Sequence, residues 1–146
     1  MVTTEAEYRT RWEESMRNGT APPIHDRIMG LKLVQLKPTT VLNMELTDDV
    51  RGPAPGTIHG GMFATLADVA SAASLWESVD YSAELPATTD MHVRYYRQPR
   101  SGPLTAEATV VHRGRRLLST ECVVTDAEQR VLTRTTATYM LVPFGE

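Results

Sequence analysis

The chain of 146 residues holds one cysteine, two phenylalanines, two tryptophans and no surplus of positive charge. One cysteine excludes an internal disulfide, and Cys122 reads as a small core residue on a strand. His25, His59, His92 and His112 show no ligand spacing to one another or to Cys122, so no metal site is expected. A net charge of −3, from 15 Lys and Arg against 18 Asp and Glu, argues against general nucleic-acid affinity. No run approaches the roughly 18 apolar residues of a membrane span. The opening Met1-Val2-Thr3-Thr4-Glu5 is too acidic for a secretory leader, so a cytoplasmic protein with no membrane partner is expected. Repeats, low-complexity tracts and phosphate-cradling glycine loops are missing, which excludes the common nucleotide-binding designs. Ser71, Ser74 and Ser78 lack a nucleophile-elbow context, which argues against a serine hydrolase.

What is present has the size and composition of one soluble domain, 41% hydrophobic and 23% charged. It reads as a single unit over 1–146, with an N-terminal helix and loop in 1–23 and the core in 24–146. Thr4 and Glu7 have capping-box spacing, Tyr8, Trp12 and Met16 form a stripe, and Gly19 supplies a stop; a helix over 4–18 follows. Leu31–Lys37 and Thr40–Leu46 read as strands about a Pro38 turn, and 47–56 is turn-rich. A helix is expected over Gly60–Val79, and strands over Thr88–Arg97, Leu104–His112, Leu117–Thr125 and Val131–Val142. Short turns make the last three an antiparallel meander. The expected class is α+β: one long antiparallel sheet with one central apolar helix packed against it.

That helix carries the chemistry. His59-Gly60-Gly61 opens it after a proline-broken loop, and Asp68 is the one acid between Gly60 and Trp76. Bare glycines at a helix start can present free N–H groups to a ligand oxygen, at the positive end of the dipole. A lone carboxylate in an apolar helix is costly to desolvate unless something uses or satisfies it. At 100° per residue Asp68 shares its face with Gly61, Ala64, Thr65, Ser71, Ala72 and Leu75, small and mildly polar, while Phe63, Leu66, Ala70 and Ala73 form the sheet-facing side. Ala64, Thr65 and Ala72 would leave room for a substrate chain. Asp68 lies about 11 Å along the helix from the Gly60 and Gly61 N–H groups. A reacting carbonyl must sit within about 3 Å of both donor and base, so one chain cannot supply both. Two antiparallel copies about a two-fold axis can, which makes a catalytic helix of this kind imply a homodimer with shared sites. The plainer alternatives are a capping role for His59 and a structural bond for Asp68 to Thr65, Ser71 or a partner chain.

His59-Gly60-Gly61 followed by Leu66-Ala67-Asp68, then Thr88-Thr89-Asp90-Met91 with Val93 and Tyr95, resembles the hotdog-fold acyl-CoA thioesterases, in the phenylacetate-pathway branch. Asp26-Arg27-Ile28-Met29-Gly30 resembles that family's entry into its first strand, so the likeness runs from about Ile24 to Val142. The resemblance implies a sheet wrapped around the central helix, dimers that often pair into tetramers, and hydrolysis of acyl-CoA without a cofactor. It implies that a Gly60 N–H, with Gly61, polarises the thioester while Asp68 of the other chain attacks or activates water, and that Thr88 faces the reacting centre, with His59 counted among the site residues. One departure stands out: where relatives carry Asn or Gln six residues before the histidine, this chain has Pro53, which offers no side-chain hydrogen bond.

Arg113, Arg115 and Arg116 flank Gly114 at a turn and either form a solvated tip or grip coenzyme A phosphates. Two other readings compete with hydrolysis. A non-catalytic acyl-CoA or aromatic-ligand binder fits Pro53 better than it fits a retained Asp68. A hydratase on this scaffold would place an acid five residues after His59, where Ala64 stands.

Overall fold

A computed structural model of the chain describes residues 4–145. Helix α1 (Glu5–Arg17) begins as its capping box dictates: the Thr4 hydroxyl accepts from the Glu7 N–H at 3.2 Å, and the Glu7 carboxylate accepts from the Thr4 N–H at 2.9 Å. No residue of α1 is fully buried. Tyr8, Trp12 and Met16 pack against the core with their apolar stripe. The segment read as the entry into the first strand contains a π-turn over Ile24–Ile28, closed by Met29 N–H to Ile24 O at 2.9 Å.

Strands β1 (Lys32–Gln35) and β2 (Thr40–Met44) follow, then a 3₁₀ turn at Asp48–Val50 and helix α2 (Gly60–Ser74). The sheet is completed by β3 (Glu84–Tyr95), β4 (Leu104–Arg113), β5 (Leu117–Thr125) and β6 (Val131–Pro143), in the order β1-β2-β4-β5-β6-β3, all pairs antiparallel. The β4-β5-β6 meander is as expected. The chain leaves α2, crosses to the far edge as β3 and pairs with β6, starting four residues earlier than expected because Glu84–Ala87 pair with Met140–Pro143.

Phe63, Leu66, Ala70 and Ala73 are buried on the sheet, the face assigned from helical periodicity. Helix α2 ends at Ser74 rather than Val79. Beyond it Trp76 turns to Tyr8 (ring centroids 6.2 Å apart), and Val79 joins a separate core cluster with Leu75, Leu118 and Tyr139. Ser71 and Leu75, expected on the open face, are both fully buried, since this end of the helix rests on that cluster.

The two sheet edges differ. At β1 the Arg9 guanidinium donates to the carbonyls of Leu33 (3.0 Å) and Val34 (3.4 Å), which blunts a four-residue edge. At the other side β3 offers twelve residues, mostly exposed, with an outer edge unpaired among the described residues. No helix among these residues is long and apolar enough to cross a membrane.

Candidate active site

The approach to α2 is clamped by one side chain. Gln98 accepts from the Ile58 N–H at 2.8 Å and donates to the Ile58 carbonyl at 3.3 Å. His59 then takes the extended conformation of an N-cap (φ −62°, ψ 131°), and its Nδ1 accepts the Gly61 N–H at 3.0 Å. An accepting Nδ1 leaves Nε2 as the ring nitrogen that faces outward as a donor. The capping alternative for His59 is therefore present in the structure, and it occupies one of the two glycine donors. The Gly60 N–H has no partner among the described residues. Its carbonyl accepts the Tyr95 hydroxyl at 3.0 Å, which ties the helix start to β3. The Thr65 hydroxyl bonds back to the Gly61 carbonyl at 2.9 Å, and Ala64 and Ala72 stay half-buried on the same open side.

Asp68 is half-buried in the middle of α2. Its Oδ1 accepts the Thr88 hydroxyl at 3.0 Å and the Tyr139 hydroxyl at 2.8 Å. Tyr139 also reaches the Asp68 backbone carbonyl at 3.1 Å. Thr88 and Tyr139 are direct partners across β3 and β6, so both donors come from one rung of the sheet. Burial, and then the Asp68 charge, push the Tyr139 phenol above its ordinary range, so it stays a proton donor. His25, on the π-turn, has its pKa lowered by burial, and the Asp68 charge opposes that shift by raising it. No cluster of three His, Cys, Asp or Glu side chains suited to a metal exists among the described residues.

The structure brings Thr88 to Asp68 but keeps His59, Gly60 and Gly61 at the other end of the helix. Tyr95, which holds Gly60, pairs with Thr133, six residues along β6 from Tyr139. The Arg113 guanidinium donates to the Ser78 hydroxyl, while Arg115 and Arg116 are exposed on the turn before β5. The Arg116 carbonyl accepts from the Leu141 N–H at 2.9 Å, two residues from Tyr139, so this turn borders the Asp68 end of the sheet. Pro53 is exposed in the loop before α2.

Tyr139 was not singled out from sequence, and Tyr95 was read there only as part of the strand resemblance, not as a partner of Gly60. Tyr139 had one visible signal: a lone hydroxyl-bearing aromatic among the inward-facing Thr133, Thr135, Ala137 and Leu141 of β6.

Residues 55–133 match the model of the thioesterase superfamily. A thioesterase of Pseudomonas aeruginosa superposes with a TM-score of 0.80 at 21% identity, over 90% of this chain and 94% of that one. The Escherichia coli PaaI protein of the phenylacetic acid degradation operon gives 0.74 at 17% identity, over 90% and 92%. A Streptococcus mutans protein bound to acetyl-CoA gives 0.67 at 21%, over 77% and 89%. These likenesses establish the hotdog fold.

Proposed function

The chain belongs to the thioesterase superfamily, and from that premise we propose that it hydrolyses acyl-CoA thioesters as a homodimer with two shared active sites. The observation that carries the proposal is the separation of its two chemical parts. The free Gly60 N–H and the Asp68 carboxylate lie on one helix about 11 Å apart, too far to serve one carbonyl. The bare β3 edge is the surface through which a second copy would supply the missing half. Antiparallel pairing of β3 with its copy, centred near Met91 and His92, would set the Thr88 end of one strand against the Tyr95 end of the other. Asp68 of one protomer then faces Gly60 of its partner. Two such dimers would associate as a tetramer.

In each site the Gly60 N–H, backed by the helix dipole, would receive the developing oxyanion. Asp68 would either take a proton from water, whose hydroxide adds to the carbonyl carbon, or add to that carbon itself. The carbon–sulfur bond then breaks, coenzyme A leaves as the thiolate and takes up a proton, and in the second route water hydrolyses the anhydride. Arg115 and Arg116 would meet the phosphates of coenzyme A. The acetyl-CoA complex of the Streptococcus mutans relative supports this substrate class.

Release of thiol from a panel of acetyl-, medium-chain and aryl-CoA substrates, followed with a thiol-reactive dye, tests the proposal. Saturable hydrolysis is expected. Calorimetric binding without thiol release would replace the enzyme with a binder on the same scaffold.

A further inference from the structure

We propose that Tyr139 is a positioning residue for Asp68: with Thr88 it saturates Oδ1 and leaves Oδ2 as the oxygen free to react. This rests on the reading of Asp68 as the reacting carboxylate. On α2 itself no side chain bonds that carboxylate: Ala64 and Ala72 carry no donor, Thr65 spends its hydroxyl on the Gly61 carbonyl, and the Ser71 hydroxyl forms no hydrogen bond to the carboxylate. Among the described residues, the hydrogen bonds to the Asp68 side chain come from the sheet. Tyr139 is 1% exposed, and its ring is fixed in the core cluster with Leu118, Ala137 and Leu141. From there one hydroxyl meets Oδ1 at 2.8 Å and the Asp68 carbonyl at 3.1 Å, so it registers the helix backbone and the side chain together.

A carboxylate oxygen has two lone pairs in its plane, and on Oδ1 these face the Thr88 hydroxyl and the Tyr139 hydroxyl, whose single proton is shared with the Asp68 carbonyl and lies nearer Oδ1. Oδ2 accepts no hydrogen bond among the described residues, so its electrons are the ones available to a proton or a carbonyl carbon. The phenol is not required for packing, since phenylalanine would fill the same space. Its hydroxyl serves the carboxylate.

The test combines kinetics with ¹³C NMR of aspartate labelled at the carboxyl carbon, the Asp68 signal being assigned by its loss in Asp68→Asn. In Tyr139→Phe and in Thr88→Val, kcat should fall roughly 10–100-fold, the range carried by a hydrogen bond to a charged group, while KM holds. The double variant should lose more than the product of the two, because either donor alone still restrains Oδ1. Thr88→Ser, which keeps a hydroxyl, should recover most of the activity. The Asp68 signal should move in Tyr139→Phe without any ligand. If Tyr139→Phe does not fold, 3-fluorotyrosine at 139 keeps the ring, strengthens the donor and should move the same signal. A folded Tyr139→Phe with unchanged kcat overturns the proposal, as does an unmoved Asp68 signal. If the unaltered protein turns over no acyl-CoA, the thioesterase reading fails, and the NMR signal alone decides whether Tyr139 positions the carboxylate.

Discussion

Gly60→Pro replaces the Gly60 amide proton with a ring methylene, so it removes one hydrogen-bond donor and fills the spot where that proton pointed. Gly60 is the first residue of α2, where the N–H has no intrahelical acceptor and proline is well tolerated. The preceding His59, at φ −62° and ψ 131°, already has the extended backbone that a residue before proline adopts. A β-carbon at position 60 would meet the Tyr95 ring at 3.6 Å, an ordinary contact. The fold and the dimer should therefore survive. Loss of one oxyanion donor typically lowers kcat by about 10²–10³-fold, and this is the expected fall. Gly60→Ala is the control: it adds the same β-carbon, keeps the N–H and should turn over close to the unaltered protein. Thiol release at saturating acyl-CoA, with light scattering and thermal melting on each variant, provides the assay. A folded, dimeric Gly60→Pro with undiminished kcat would refute the assignment of this N–H to the oxyanion.

Asp68→Asn keeps shape but loses charge and basicity; kcat should drop by about 10²–10⁴-fold while the calorimetric Kd for acyl-CoA is retained. Paired replacement of Arg115 and Arg116 by alanine should raise KM for acyl-CoA more than for an acyl-pantetheine lacking the nucleotide, and an unchanged KM at low salt would make the turn a solvated tip. Burial holds His25 below its ordinary value of 6.5, so the unfolded chain binds that proton more readily. Stability should therefore fall as pH drops below 6.5, and His25→Gln should flatten that slope in urea titrations.

The parts of the fold that local chemistry determines were legible in the sequence. Thr4 and Glu7 placed the start of α1 within one residue, because a capping box satisfies its own donors. The one-sided apolar pattern of Phe63, Leu66, Ala70 and Ala73 identified the sheet-facing side of α2 for the same kind of reason. The end of α2 was not legible, because Trp76 is drawn off by Tyr8, a contact 68 residues distant in the chain. Nor was the π-turn at Ile24–Ile28, whose Asp26-Arg27-Ile28 run carries no periodicity of its own. At the site, the glycines and Asp68 announced themselves by being out of place in an apolar run. Tyr139 did not, since its contact with Asp68 arises only when α2 packs on β6, 71 residues away in the chain.

The claim that each site draws Asp68 from one protomer and Gly60 from the other is tested most directly by subunit mixing. Asp68→Asn and Gly60→Pro dimers, each nearly inactive alone, are dissociated together in mild denaturant and reassembled. In a mixed dimer with shared sites, the Gly60→Pro protomer contributes an intact Asp68 to the intact Gly60 of its partner, so one site is whole. Random reassembly should restore about a quarter of the unaltered activity. A mixture that stays as inactive as its two components, with mixed dimers demonstrated by mass spectrometry, would contradict the account.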